Sequence, residues 1–121
     1  MAAKTRRSEE MDLITAVVRR SLADQTLQAA LEAGAPGITY FWARGTGVKE
    51  ALGFVGSLIE SEKQVVWVVT KRLDTQRVLG AIVSAANLSL PGEGFAYVQP
   101  VTQTVGFLKV EPKPVTDSRP R

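Results

Sequence analysis

The feature that most constrains the fold is a strand-like run that occurs twice, roughly fifty residues apart, each time followed by a helical pattern. The runs cover residues 13–18 and 65–69. Both are short, rich in β-branched residues and without strict polar alternation, which is typical of strands buried on both faces of a sheet. Two such units predict a sheet with these two strands at its centre.

Each run is followed by signals for the start and end of a helix. After residues 13–18, Ser21 is the predicted cap, Asp24 falls in the first turn, and Gly34 is predicted to end the helix in a left-handed conformation. After residues 65–69, Asp74 is the predicted cap. Apolar residues at helical spacing follow, namely Leu27, Ala30 and Leu31 in the first helix and Val78, Leu79, Ile82 and Val83 in the second.

A turn and another strand follow each helix, at residues 38–43 and 95–98. The predicted fold class is therefore α+β, a ferredoxin-like double βαβ sandwich with a four-stranded antiparallel sheet and two helices on one face. Trp42, Trp67 and several valines argue that the other face is buried in an oligomer. A further short strand is expected over residues 104–108, beside an exposed sheet edge.

Composition excludes several classes of function. The sequence contains no cysteine and no histidine, which removes disulfides, thiolate metal sites and the commonest general base. No metal site is expected. The remaining carboxylates in polar stretches are interpreted as surface charges, so the chain is predicted not to be an enzyme. These carboxylates are Glu32, Glu60, Glu62 and Glu93.

The net charge of +3 belongs to the ends of the chain. Of 15 basic and 12 acidic residues, 7 and 4 lie in residues 1–10 and 109–121, which leaves 8 of each sign in residues 11–108. The two ends are predicted to be disordered tails around a domain at 11–108. A nucleic-acid partner is not expected, because the domain has no basic stripe. No apolar run reaches ~20 residues and residues 1–10 lack an apolar signal core, so membrane insertion is not expected and a cytoplasmic location is.

The segment 48–62 is longer than an ordinary hairpin connection. Excursions of this length often carry function. Its apolar residues Leu52, Phe54 and Val55 are predicted to bind a partner protein. The alternative is that its outer parts, especially 57–62, simply extend the flanking strands.

The order of elements and several motifs resemble the PII nitrogen-regulatory family. Residues 11–18 read Met-Asp-Leu-Ile-Thr-Ala-Val-Val, which is similar to the first strand of that family. Gly-Ile-Thr at 37–39 and Arg-Gly-Thr-Gly at 44–47 sit where the family has Gly-Met-Thr and Lys-Gly-Phe-Gly. Gly-Glu-Gly-Phe at 92–95 sits where its B loop reads Gly-Asp-Gly-Lys. The similarity covers residues 11–108.

This resemblance implies a PII-like homotrimer that regulates a protein partner, a transporter or an enzyme, through a T-loop-like segment at 48–62. It also implies an adenine-nucleotide site in the clefts between subunits. The nucleotide-binding residues would be Thr39, Gly45, Thr46, Gly47 and Val68 on one side and Gly92, Glu93 and Gly94 on the phosphate side. Glycine allows backbone N–H groups to approach an anion closely. The alternative is that Gly92 and Gly94 only shape the turn before the last strand.

The chain also departs from the family pattern. Phe95, Gly106 and Leu108 replace a lysine and an Arg-x-Arg pair, and Lys49 replaces a glutamine. Each lost hydrogen bond to a charged group removes roughly 1.5–3 kcal/mol, so AMP, ADP or a cyclic nucleotide is expected rather than ATP. The 48–62 segment is also shorter than the family's loop and has no tyrosine, so uridylylation is not expected.

The basic residues near the predicted site fall into two groups. Candidate phosphate contacts are Arg44, Lys49 and Lys63. Arg19, Arg20, Lys71 and Arg72 are interpreted as solvated turn charges. The alternative function is a ligand-free structural or protein-interaction trimer with a degenerate nucleotide site.

Overall fold

The computed structural model describes residues 10–45 and 61–107, with the backbone alone at Ser61. The elements are β1 (Met11–Arg19), a 3₁₀ turn (Arg20–Leu22), α1 (Ala23–Glu32), β2 (Thr39–Gly45), β3 (Ser61–Lys71), α2 (Arg72–Ala85) and β4 (Gly94–Val101). Residues 1–9 of the N-terminal tail predicted at 1–10, the whole tail predicted at 109–121, and residues 46–60 lie outside the described residues. The repeated βαβ order is confirmed.

The four strands form one antiparallel sheet in the order β2-β3-β1-β4. The strands predicted to be central, β1 and β3, are the central pair. Ile14 of β1 stands opposite Val68 of β3 on one side and opposite Val98 of β4 on the other. This register confirms the predicted ferredoxin-like α+β sandwich.

The hydrophobic core lies between the sheet and the two helices. Because side chains alternate along a strand, the even-numbered residues of β1 and β3 share one face. On that face Ile14 and Val68 are fully buried, and so are Val78 and Ile82 of α2 and Ala30 of α1. Burying one such aliphatic side chain is worth about 1.5–3 kcal/mol. The predicted arrangement of both helices on one face is therefore confirmed.

The predicted helix caps are wrong. Ser21 lies inside the 3₁₀ turn, and α1 begins after Leu22 without a side-chain cap. Helix α2 begins at Arg72 after the extended residue Lys71, and Asp74 lies within its first turn. The physical reason is that each strand passes directly into helical structure, which leaves no loop position for a capping side chain.

The predicted end of α1 is confirmed. Gly34 has a φ of +107°, a conformation that glycine adopts without a steric penalty. Its N–H donates to the carbonyl of Leu31, and the next N–H, of Ala35, donates to the carbonyl of Ala30, both at 3.0 Å. These two bonds form a Schellman motif, which satisfies carbonyl groups that would otherwise lack a donor.

Two strand predictions have different outcomes. β3 begins at Ser61, so residues 61 and 62 do extend a flanking strand, as the alternative interpretation of the 48–62 segment proposed. The strand predicted at 104–108 is wrong over residues 104–107, which follow β4 without strand structure. Leu108 lies outside the described residues.

A buried carboxylate fastens the start of β1 to the first turn of α2. Asp12 is 5% exposed. One of its oxygens accepts a hydrogen bond from the Thr75 hydroxyl at 2.7 Å, and the other accepts from Arg72 Nε at 3.0 Å. Arg72 also pairs with Glu10 at 2.7 Å. Burial raises the pKa of Asp12, but the hydrogen bonds from Arg72 and Thr75 and the charge of Arg72 lower it more, so the pKa lies below its ordinary value.

Two sequence-based interpretations change with this cluster. Arg72 is ion-paired with Asp12 and Glu10, although its side chain remains exposed to solvent. The backbone carbonyl of Glu10, a residue that the sequence assigned to the N-terminal tail, accepts a hydrogen bond from the Arg72 backbone N–H at 2.8 Å. The antiparallel pairing of β1 with β3 brings these residues together, although they are about sixty positions apart in the sequence.

Asp12→Asn is expected to lower the free energy of unfolding by about 1–3 kcal/mol near neutral pH, because the charged acceptor is lost. Since the folded-state pKa is lowered, this contribution is complete above the ordinary value of 3.8 and is lost as the pH falls through the folded-state pKa. Urea unfolding of both proteins at one protein concentration and several pH values measures it.

The matched control is Asp74→Asn. Asp74 pairs with Arg77 at 3.0 Å near the surface, and such pairs contribute about 0–1 kcal/mol. A difference between wild type and Asp12→Asn that stayed constant down to strongly acidic pH would contradict the assignment.

Candidate functional site

The sheet face turned away from the helices carries four aromatic side chains. Phe41 meets Trp67 edge-on with ring centroids 5.3 Å apart. Phe95 and Tyr97 stack at 6.3 Å. All four are between 41% and 55% exposed. We call the sheet face that carries these four rings the open face.

Thr15 lies at the centre of the open face, because it stands opposite Trp67 on one side and opposite Tyr97 on the other. The residue is only 4% exposed. Its hydroxyl oxygen has no hydrogen-bond partner among the described residues. A buried hydroxyl without a partner costs about 1–3 kcal/mol. The open face therefore combines exposed aromatic rings with an unsatisfied polar group.

Trp42 does not share this face, contrary to the sequence-based expectation. It stands opposite Gln64, whose side chain lies on the helix side of the sheet. The Arg20 guanidinium lies over the Trp42 ring at 5.9 Å from its centroid, within cation–π range. Arg20 also pairs with Glu62 at 2.8 Å. Arg20 is thus another predicted solvated charge that has partners, and Glu62 is an exposed carboxylate as expected.

The structure explains why glycine occupies both positions of the turn that leads into β4. Gly92 and Gly94 have φ values of +79° and +141°. A Cβ atom at Gly94 would overlap the Val17 carbonyl oxygen and would lie 3.0 Å from Leu88 Cδ2. Within the turn, the Glu93 N–H donates to the Leu90 carbonyl at 3.3 Å. This geometry favours the interpretation that the glycines shape the turn.

Glu93 is not a surface charge, and the expectation to the contrary is wrong. The residue is 7% exposed, and its Oε1 accepts a hydrogen bond from Arg19 Nη1 at 3.0 Å. Arg19 is therefore ion-paired, although its side chain remains exposed to solvent. The cause is the strand register. Val18 pairs with Gly94, so the residues one step further on each strand also face each other.

The described candidate phosphate contacts lie at the same end of the sheet but on opposite faces. Lys63 stands opposite Arg19 and Ala43, on the open face, and is nearly buried. Arg44 stands opposite Glu62, on the helix side. Arg44, Lys63 and Glu93 all take part in further interactions. Lys49 lies outside the described residues.

The residues predicted on the adenine side are not brought together within one chain. Thr39 lies level with Trp67 in mid-sheet, and Gly45 lies at the far end of β2, ~20 Å away at 3.3 Å per residue. Val68 is fully buried in the core, so its side chain cannot reach a ligand in this conformation. Thr46 and Gly47 lie outside the described residues, as do Leu52, Phe54 and Val55.

Within residues 10–45 and 61–107, no group of three or more carboxylates is placed to hold a metal ion. Neither α1 nor α2 is long and apolar enough to cross a membrane.

The fold and the open face define a ferredoxin-like protein whose sheet presents an aromatic surface. The profile of the nitrogen regulatory protein P-II family matches residues 11–109, and the chain belongs to this family. A comparison with curated proteins found no match. Members of the P-II family are regulatory signalling proteins and not enzymes, in agreement with the prediction that this chain is not an enzyme.

Gly94→Ala is expected to lower the free energy of unfolding by about 2–5 kcal/mol, because the new methyl group overlaps β1 and the backbone is strained at this φ. Gly37→Ala is the matched control, since no atom lies within 4 Å of the position of its Cβ. Thermal unfolding of both variants measures the effect. Equal unfolding temperatures would show that the turn does not need Gly94 for packing.

Proposed function

We propose that this chain is a P-II signalling protein that works as a homotrimer and binds a protein partner, a transporter or an enzyme, through residues 48–62. The single observation that carries the proposal is the open face. Four half-exposed aromatic rings on one face are costly to leave in water. P-II proteins typically form trimers, so other copies of the chain are the first candidates to cover this face.

Association through the open face has a clear energetic basis. Aromatic pairs contribute about 0.5–1.5 kcal/mol beyond the area they bury, and Trp67 and Tyr97 flank the centre of the face. The edge-on contact of Phe41 with Trp67 and the stacking of Phe95 with Tyr97 fix the orientation of these rings. The face therefore offers a neighbouring copy apolar area in a defined arrangement.

Contacts of Arg20 join the end of β2 to the start of β3, the two strands that flank the segment proposed to bind the partner. Arg20 bridges Trp42 near the end of β2 and Glu62 near the start of β3. Partner binding itself is assigned to the apolar residues Leu52, Phe54 and Val55. Apolar side chains that lie together on a surface are typical of protein docking sites. The proposed location is the cytoplasm, and neither binding to nucleic acid nor insertion into a membrane is part of the proposed function.

Control by an adenine nucleotide is the finer part of the proposal, with AMP, ADP or a cyclic nucleotide preferred to ATP. The separation of Thr39 from Gly45 supports a cleft between subunits, where one chain would supply Thr39 and another the end of β2 with residues 92–94. No cofactor beyond this nucleotide is proposed.

The second candidate is a ligand-free trimer, and the position of Glu93 favours it. A buried carboxylate in the turn repels phosphate groups, and its backbone N–H is already bonded within the turn. The two candidates differ in whether the nucleotide-stripped trimer binds an adenine nucleotide in calorimetric titration.

Trp67→Lys is expected to convert the trimer into a monomer, because a charge at the centre of the open face would be buried without a partner. Sedimentation velocity measures this directly. Trp42→Lys is the matched control, since Trp42 is a half-exposed tryptophan of the same sheet on the opposite side, and it is expected to remain trimeric. A monomeric wild type, or two variants that behave alike, would contradict the proposal.

Replacing Leu52, Phe54 and Val55 together by serine is expected to abolish partner binding without changing the trimer. Affinity capture under native conditions, followed by mass spectrometry, compares the triple variant with wild type. Leu73→Ser is the control, because Leu73 is exposed on α2. Capture of the same proteins by wild type and the triple variant would exclude this segment as the docking site.

A further inference from the structure

The Arg19–Glu93 pair lies at the turn to which phosphate binding was assigned, and its two members differ in accessibility. The Arg19 side chain is 44% exposed, whereas that of Glu93 is 10% exposed. Solvent, and any dissolved anion, can therefore reach the guanidinium from the side that Glu93 leaves open. The carboxylate is the part of the pair that is held inside the protein.

The surroundings of this pair are rich in positive charge. Arg19 stands opposite Lys63 on β3 and contacts Glu93 on the β4 side, so Arg19 lies between a second cation and the carboxylate at this end of the open face. Lys63 itself is nearly buried and has other interactions. An arginine binds phosphate and carboxylate groups with the same planar set of donors. Glu93 and a phosphate group therefore compete for the same donor atoms.

We propose that Glu93 is an internal competitor that lowers the affinity of the residue 92–94 turn for phosphate groups by holding Arg19. The inference rests on the nucleotide site in the proposed function. It adds Arg19, which was not among the predicted binding residues, to that site, and it adds a regulatory device. The occupant that displaces Glu93 is the phosphate group of a nucleotide or a free phosphate ion. The exchange involves no covalent step.

The exchange has a route to the base of the partner-binding segment. Arg19 and Arg20 are consecutive, and their side chains contact opposite sides of the sheet: Arg19 bonds Glu93, and Arg20 contacts Trp42 and Glu62. If release of Arg19 from Glu93 shifts the backbone that the two arginines share, the Arg20 contact with Trp42 changes with it. Emission of Trp42 in a Trp67→Phe background would report such a shift.

The test is calorimetric titration of the full-length, nucleotide-stripped protein with ADP, inorganic phosphate and adenosine at low ionic strength. Glu93→Gln removes the competing charge and keeps the shape of the side chain. Glu32→Gln is the matched control, because Glu32 is an exposed carboxylate at the end of α1 that accepts a hydrogen bond from Gln28, away from the glycine turn. Arg19→Gln and the double variant Arg19→Gln/Glu93→Gln test whether any gain requires Arg19.

Glu93→Gln is expected to bind ADP at least about five-fold more tightly than wild type, a change that corresponds to ~1 kcal/mol. Tighter binding of inorganic phosphate as well would identify the phosphate group alone as the ligand, and a gain confined to ADP would identify the nucleotide. Adenosine binding, Glu32→Gln and the double variant are expected to show no gain.

Unchanged or weaker ADP binding by Glu93→Gln would overturn the inference, provided that sedimentation velocity and circular dichroism show a folded assembly. A gain that persists in the double variant would overturn it as well. If Glu93→Gln does not fold, Glu93→Asp withdraws the carboxylate from Arg19 by one methylene group and is expected to show the same direction of change. If neither wild type nor the Glu93 variants bind ADP or phosphate, this inference and nucleotide control both fail, whereas the trimer and the partner-binding segment are tested independently.

Discussion

The pairing of β1 with a strand on each side is the constraint on which the rest of the structure depends. β1 pairs with β3 from Met11 to Arg19 and with β4 from Met11 to Val18. A shift of one residue in either ladder would exchange the buried and exposed faces of the strand. The same register places Asp12 beside α2 at one end and Arg19 beside Glu93 at the other. The core, the network at the start of α2 and the ion pair at the glycine turn therefore have one common origin.

The two faces of the sheet differ in what covers them. The helix side is closed by aliphatic packing within a single chain, and among the residues that the structure describes its large aromatic side chains, Tyr40 and Trp42, lie on the edge strand β2. The open face has no such cover from the described residues, and it concentrates the remaining aromatic side chains of the sheet around Thr15. The structure therefore has a complete hydrophobic core within one chain and an aromatic sheet face that the described residues leave uncovered.

Local sequence patterns predicted the elements well because each pattern reports on its own segment. The strand-like runs, the helical spacing of Val78 and Ile82 and the stop at Gly34 were all readable in this way. The caps at Ser21 and Asp74 failed, because a capping pattern cannot show that a strand passes into a helix without a loop. The positions of Trp42 and Glu93 also failed. Each depends on which residue stands opposite it in the sheet, and that information is shared between distant segments.

The candidate site shows the same limit in a stronger form. The motifs at 37–39, 44–47 and 92–94 identified a family, and the family match over residues 11–109 agrees with that interpretation. They could not show that Thr39 and Gly45 are separated by the length of β2, or that Val68 faces the core. A motif is carried by residue order, whereas a binding site requires positions in space, which residue order alone does not give.

The central claim is that the open face is covered by other copies of the chain, and the environment of Trp67 tests it most directly. In a Trp42→Phe variant, Trp67 is the only tryptophan. If the face is covered, its fluorescence is expected to be blue-shifted and poorly quenched by acrylamide, and both properties should revert on dilution to concentrations at which the assembly dissociates. Red-shifted, readily quenched emission that does not depend on concentration would show that the aromatic face remains in water, and would contradict the account.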